Sequence, residues 1–339
     1  PSAPAASSVP TAGAGQAVAG TAAPATPTIK VRSDELAIEI DPVGGQIVRA
    51  ELLGHPALLD SGDTSPDTNV VLLEPARKYA AQSGLIGAPG GTSFPTHRTP
   101  FTVADSPREL AAGAKSVSVT LSAESGGLKL VRTYTLERGS HVIGVRDDVT
   151  NTSRDTLKPT LYLQLSRDTS KPEGESRFYS TYTGPVVYSD ESKFRKVAFE
   201  DIEKGKADLP KPAPDGWAGI IQHYFVAAWI PADKANREFY TSRVDANLFA
   251  VGMKQTLNEV APGATVRTDS RLLIAPQDQH LLASIAPGLD LVVDYGSLAV
   301  IAKPIFYLLQ WLYGLVQNWG WAIILLTLVI KTLFFPLQA

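Results

Sequence analysis

Apolar and polar residues alternate along most of this chain between Ile29 and Ile274. Leu36–Asp41 reads LAIEID, Ser116–Ser122 reads SVSVTLS and Leu128–Leu136 reads LKLVRTYTL. A period of two is the mark of a strand with one buried face. Gly44-Gly45, Gly126-Gly127 and Arg138-Gly139 stand between such runs as turn signals. The same reading predicts strands at Lys30–Arg32, Gln46–Leu53, His141–Val149, Thr160–Leu165, Gly184–Tyr188, Leu248–Met253 and Val266–Ile274. It predicts one unbroken strand over Ala218–Ile230. Thr64–Thr102 is rich in Gly, Pro, Ser and Thr and predicts long loops. Asp190–Lys211 is charged, shows no apolar helical face, and predicts a surface excursion. Many strands at short spacing predict a mainly β fold, a single large sandwich over residues 29–289. Gln277–Ala286 (QDQHLLASIA) is the first helix-like patch, and Gly288 and Asp290 break it.

Residues 290–303 read as a linker. After Pro304 the apolar positions fall at Ile305, Leu308, Leu309, Leu312, Leu315 and Val316, the spacing of an amphipathic helix. Pro304 suits a first turn, where its missing N–H is not needed, and Asn318-Trp319-Gly320 ends the pattern. Trp311, Tyr313, Trp319 and Trp321 cluster here, and such rings favour the headgroup level of a bilayer. Residues 304–318 are therefore read as a helix lying on a membrane surface. A helix packed on the β-domain would carry the same stripe. Residues 319–337 are almost wholly apolar and about 28 Å long as a helix, against a hydrocarbon core of ~30 Å. They are read as a transmembrane helix. Thr327 and Lys331 lie four apart on one face of it. Lys331 falls about 18 Å beyond Trp319 along the axis, past the midplane. A cation there is costly and needs a reason. Two are open: a polar cavity that offers positive charge to an acidic substrate group, or a lysine that snorkels to the far headgroups.

Composition narrows the classes. The 339 residues carry a net charge of −3 and no basic run, which argues against nucleic acid as a partner. There is no cysteine, so disulfides and thiolate metal sites are excluded. Residues 1–28 are uncharged Pro, Ala, Ser, Gly and Thr with few others, a composition that predicts a disordered tether. Met253 is the only methionine, no signal peptide opens the chain, and it stops just after an apolar run, so a piece of a longer protein is expected. The five histidines show no metal-ligand spacing, and no nucleophile elbow, P-loop or dinucleotide-binding glycine pattern is present. Asp147-Asp148 falls in a strand, where neighbours face opposite sides, and reads as solvated charge. Asn151-Thr152-Ser153 matches a glycosylation tripeptide too common to carry weight.

Four stretches then resemble a known family. Tyr79–Gly87 (YAAQSGLIG), Gly216–Pro231 (GWAGIIQHYFVAAWIP), Leu289–Gly296 (LDLVVDYG) and Asn318–Leu337 (NWGWAIILLTLVIKTLFFPL) are similar, in order, to the Gram-negative YidC membrane protein insertase family. The resemblance covers Ile29 to the end. It implies a periplasmic β-supersandwich related to sugar mutarotases, an interfacial helix and the family's second transmembrane helix. A first transmembrane helix would precede Pro1 and further spans would follow Ala339. It implies an inner-membrane chaperone that inserts membrane proteins, alone or with the Sec translocon, through a hydrophilic groove. The implied partners are nascent membrane proteins, Sec translocon components and the lipid bilayer. Neither catalysis nor a cofactor is implied. The groove's positive residue, usually Arg in the family, falls at Lys331, and its polar Thr one turn earlier at Thr327. Lysine keeps the charge and loses the forked hydrogen bonding. A rival class is a membrane-anchored periplasmic carbohydrate-binding or carbohydrate-modifying protein, which needs His and carboxylates converging in an aromatic cleft. A third is a periplasmic scaffold that only docks partners.

Overall fold

The computed structural model of the chain describes residues 27–58, 64–171, 182–293 and 299–338. The expected tether lies outside them up to residue 26. Two compact units divide the chain, residues 1–292 and 293–339.

The first unit is built almost entirely of antiparallel strands. In chain order they are β1 (Ile29–Arg32), β2 (Leu36–Asp41), β3 (Gln46–Leu58), β4 (Thr64–Leu73), β5 (Ala80–Ile86) and β6 (Thr102–Val103). There follow β7 (Ser116–Ser125), β8 (Leu128–Glu137), β9 (Val142–Asn151), β10 (Thr160–Arg167), β11 (Gly184–Tyr188) and β12 (Arg195–Lys196). The last are β13 (Trp217–Gln222), β14 (Phe225–Pro231), β15 (Glu238–Asp245), β16 (Leu248–Thr256) and β17 (Thr265–Pro276). One sheet runs β1-β2-β3-β5-β10-β16-β15, with β4 attached to β3 alone. The other runs β12-β11-β13-β14-β17-β9-β8-β7-β6. The sandwich predicted from the alternating pattern is thus observed. Leu36, Ile38 and Ile40 of β2, and Leu128, Leu130, Tyr134 and Leu136 of β8, are buried on the expected period.

Three readings are corrected. Residues 64–102 are not long loops throughout, because β4 and β5 lie within them. β4 carries Pro66 and Asp67, which suit a peripheral strand with shifted register. β5 (AAQSGLI) is short of the β-branched residues that mark strands, yet it sits between β3 and β10. Its Gly84 is required there, since a Cβ would lie 2.7 Å from both the Thr96 Cα and the Tyr162 hydroxyl. Residues 218–230 form a hairpin, not one strand. Its turn, His223-Tyr224, contains no Gly, Asn or Pro, and His223 adopts a φ of 46° that glycine usually supplies. Lastly, Asp147 is not solvated. It is buried opposite Arg132, accepting from Nε at 2.7 Å and from Nη2 at 2.9 Å. Asp148 does point outward and accepts from Arg267 at 2.8 Å.

The two sheets are stitched by polar groups as well as by apolar packing. Trp229 Nε1 in β14 donates to the Gln164 carbonyl in β10 at 3.0 Å. The Tyr134 hydroxyl in β8 donates to the Gly45 carbonyl at 2.6 Å. Within the first sheet a row of side chains runs across the strands. Gln82 donates to Gln46, Gln164 to Gln82, and the Tyr240 hydroxyl to Gln164, each at 2.7 Å. Tyr240 reaches across Gly252, which pairs with both Gln164 and Tyr240. A Cβ at Gly252 would stand 2.3 Å from the Leu163 carbonyl oxygen.

The charged stretch after Asp190 holds β12 and a short helix, α1 (Phe199–Glu203), which buries Ile202. The helix-like patch is α2 (Gln279–Ile285), capped by Asp278, whose carboxylate accepts from the Leu281 N–H at 2.9 Å. Two longer helices follow, α3 (Ala299–Val316) and α4 (Trp319–Gln338).

Candidate functional site

The sequence places its candidate residues on α3 and α4. Helix α3 begins five residues before Pro304, which therefore sits inside it. The preceding run, AVIAK, contains no helix breaker, and it extends the helix past the proline. The residues of the expected stripe share one face of the helix and differ in burial. Leu312 is buried, Leu308, Leu309 and Val316 are half-buried, and Ile305 and Leu315 are exposed. Gln317 ends α3 in the left-handed region, with φ at 52°, and its N–H bonds the Tyr313 carbonyl at 2.7 Å. Asn318 then starts α4. Its side-chain oxygen accepts from the Trp321 N–H at 3.3 Å and its carbonyl from the Ala322 N–H at 3.0 Å.

Of the four aromatic residues, Tyr313 and Trp319 are brought together, stacked with ring centroids 4.0 Å apart. Trp311 and Trp321 are exposed, at 61% and 62%. Along α4, Ile323, Ile324, Leu328, Val329 and Leu333 are also exposed, an apolar surface unsuited to water. Among the described residues no helix is long and apolar enough to cross a membrane. The side chains of α4 are described as far as Leu333.

Thr327 and Lys331 are both exposed on α4, one turn apart. The Thr327 hydroxyl donates back to the Ile323 carbonyl at 2.9 Å, and Thr332 does the same to Leu328 at 2.8 Å. Each hydroxyl proton is thus satisfied within the helix, leaving an oxygen lone pair outward. No hydrogen bond or ion pair joins Lys331 to another described residue. The pair can present one positive charge and one acceptor to whatever lies against that face.

Among the described residues of the first unit, a histidine and a carboxylate meet at His141 and Glu35. His141 Nε2 lies 3.8 Å from Glu35, and the His55 ring is 5.9 Å from that of His141. Burial lowers the His141 pKa, against the opposing pull of Glu35. The Glu35 contact is longer than a hydrogen bond. No group of three or more His, Asp or Glu among the described residues is placed to hold a metal ion. A separate cleft of about 410 Å³, lined by β3, β4 and the β13–β14 turn, had no signal in the sequence. Its walls come from strands far apart in the chain, and one of them, β4, falls in the stretch whose composition predicts loops.

A family model described as the YidC periplasmic domain matches residues 28–308. The chain belongs to the YidC family. Its sequence is 47% identical to the YidC membrane protein insertase of Cupriavidus necator, over 98% of this chain and 59% of that protein. It is 48% identical to the Cupriavidus taiwanensis YidC over 94% of this chain and 55% of that protein. With the Bordetella pertussis YidC it shares 47% over 92% and 54%. The chain thus spans little more than half the length of these YidC relatives. Among solved structures, it is similar to a galactose mutarotase related enzyme from Lactobacillus acidophilus, with a TM-score of 0.45 and 11% identity over 74% of this chain and 97% of that one. A galactose mutarotase-like protein from Lactobacillus casei gives a TM-score of 0.45 and 10% identity, over 74% and all of that chain. Nothing about catalysis follows from backbone likeness at that level.

Proposed function

We propose that this chain is the periplasmic part and the second transmembrane helix of an inner-membrane insertase, a chaperone that moves short polar segments of nascent membrane proteins across the bilayer. The observation that carries it is the identity of 47% over nearly the whole chain to relatives named membrane protein insertase. The large β unit stands in the periplasm. Helix α3 lies at the membrane surface, with Trp311, Tyr313, Trp319 and Trp321 at headgroup level. Helix α4 crosses the bilayer, in keeping with its exposed apolar side chains. Lys331 and Thr327 face a hydrophilic groove completed by helices outside this chain. It works in the lipid bilayer on nascent membrane proteins, alone or with the Sec translocon.

The mechanism is solvation and not covalent chemistry, so the protein is not an enzyme. Water and the Lys331 ammonium reduce the cost of bringing a polar or acidic tail into the membrane. Attraction between an acidic tail and Lys331 strengthens in the lower effective dielectric of such a site. Once the tail has crossed, the client's apolar span leaves for lipid. An insertion assay of acidic-tailed and neutral-tailed clients tests this in the full-length protein. Lys331→Arg should retain activity, Lys331→Ala should impair acidic-tailed clients, and Lys331→Glu should harm them most through like-charge repulsion. Equal insertion of acidic-tailed clients by all three would make Lys331 a snorkelling residue with no groove role.

A further inference from the structure

The cleft between the β3–β4 pair and the β13–β14 turn is a second candidate site, and it lies wholly within the first unit. Three consecutive residues of β4, Asn69, Val70 and Val71, line it. Successive strand residues point to opposite faces, so a cavity touching all three meets the strand along its edge. Among the described strands β4 pairs only with β3, which leaves its other edge without a strand. Such an edge presents backbone donors and acceptors ready for a further strand.

A second observation is independent of that edge. Gln222, which also lines the cleft, is only 7% exposed, and its side-chain carbonyl oxygen has no hydrogen-bond partner among the described residues. A buried acceptor without a donor is rare and costly, and marks a place where a ligand donor belongs. Pro56, Ala57 and Phe225 add apolar wall, and the His223 and Tyr224 rings of the β13–β14 turn line it as well. The charges at its margin are already matched, since Arg77 is ion-paired with Glu74. The site therefore suits an uncharged ligand with small apolar side groups, strand-like shape and an N–H donor. At about 410 Å³ it is at the small end of ligand cavities, so it takes a few residues and no more.

We propose that this cleft captures a short extended segment of another polypeptide. The segment adds to the free edge of β4, packs valine- or alanine-sized side chains against Val70, Val71 and Phe225, and donates one backbone N–H to the Gln222 side-chain oxygen. A lipid acyl chain would fill the apolar wall and leave that oxygen unpaired.

The test uses the 339-residue chain in lipid nanodiscs and a fluorescein-labelled, capped heptapeptide of alternating valine and serine, read by fluorescence anisotropy. Saturable binding with a Kd below about 1 mM is expected. Backbone N-methylation of the peptide should weaken binding tenfold or more. So should Gln222→Leu, and Val70→Arg, at a half-buried position, should block the edge even if Gln222→Leu fails to fold. Unlabelled peptide should compete, and decanoate should not. No saturable binding, equal binding of the N-methylated peptide, competition by decanoate alone, or full affinity in folded Val70→Arg would each overturn the proposal. Failure of the Lys331 reading would leave it standing, because no residue of the cleft belongs to α3 or α4.

Discussion

Arg132 and Lys331 are both cations set among apolar residues, and the two parts of the chain treat them in opposite ways. Arg132 is fully buried in the β unit. It holds the Asp147 carboxylate in a fork and lies 3.5 Å from the Ser83 carbonyl on the opposite sheet. Burial alone would lower its pKa, but the Asp147 charge and hydrogen bonds, with Tyr134 adding, outweigh that and raise it. Lys331 is exposed on an apolar helix with no such partner among the described residues. A permanent fork suits a charge whose task ends with folding. A charge left open suits one whose partner comes and goes.

Breaking the fork should have the largest effect on stability. Asp147→Ala leaves a buried guanidinium unpaired and should cost about 3–5 kcal/mol in denaturant unfolding of the β unit. An Arg132→Met, Asp147→Leu double variant should recover much of that loss, because no charge remains to be buried. If Asp147→Ala unfolds like the wild type, the fork contributes nothing and the contrast with Lys331 collapses.

Acid should probe the same unit next. His97 is buried, and its Nδ1 lies 2.5 Å from the Tyr162 hydroxyl, which also accepts the His97 backbone N–H at 3.0 Å. Burial, with the Arg98 charge adding, brings its pKa from 6.5 down to about 4. The fold thus holds the neutral ring. The unfolded chain gains a proton below about pH 6.5, whereas the folded chain gains it only near 4. Stability is therefore fully present above pH 6.5 and falls as pH drops toward 4, by about 3 kcal/mol in all. His97→Gln should flatten the denaturation-midpoint profile over that window, and an unchanged slope would assign the acid sensitivity elsewhere.

Gly252→Ala should cost less, about 1–3 kcal/mol, through its clash with the Leu163 carbonyl. Thermal unfolding should show it, together with altered Tyr240 fluorescence. The smallest effect belongs to Lys331. Its removal should change β-unit stability by less than about 0.5 kcal/mol, while insertion of acidic-tailed clients falls. A stability loss as large as that of Gly252→Ala would mean that Lys331, too, is structural.

How far the sequence was legible follows the same divide. Regular alternation in β2, β7, β8 and β9 announced the sandwich because each strand has one buried face and one wet face. β5 escaped because its small residues answer to Tyr162 and Thr96 above it, a demand invisible along the chain. The β13–β14 turn escaped because His223 occupies a glycine conformation without glycine. Asp147 reads as solvated charge along the chain, yet it is buried, because its partner Arg132 belongs to the preceding strand. Lys331 and Thr327 were legible as an oddity in an apolar run, whereas the Gln222 cleft was not. Its two sides, residues 56–77 and 222–225, lie far apart in the chain, and its chemistry consists of one missing donor.

The glutamine row across the first sheet has a directional character. Tyr240 gives its proton to Gln164, Gln164 gives an amide proton to Gln82, Gln82 gives one to Gln46, and Gln46 donates to the Val43 carbonyl at 3.3 Å. Every donor points the same way, so the amide dipoles lie head to tail and polarise one another. None of the three can rotate by half a turn alone without setting donor against donor on one side. The Val43 carbonyl can only accept, so it fixes the direction of the whole row, and the three side-chain amides should each give one NMR signal set without a flipped partner state.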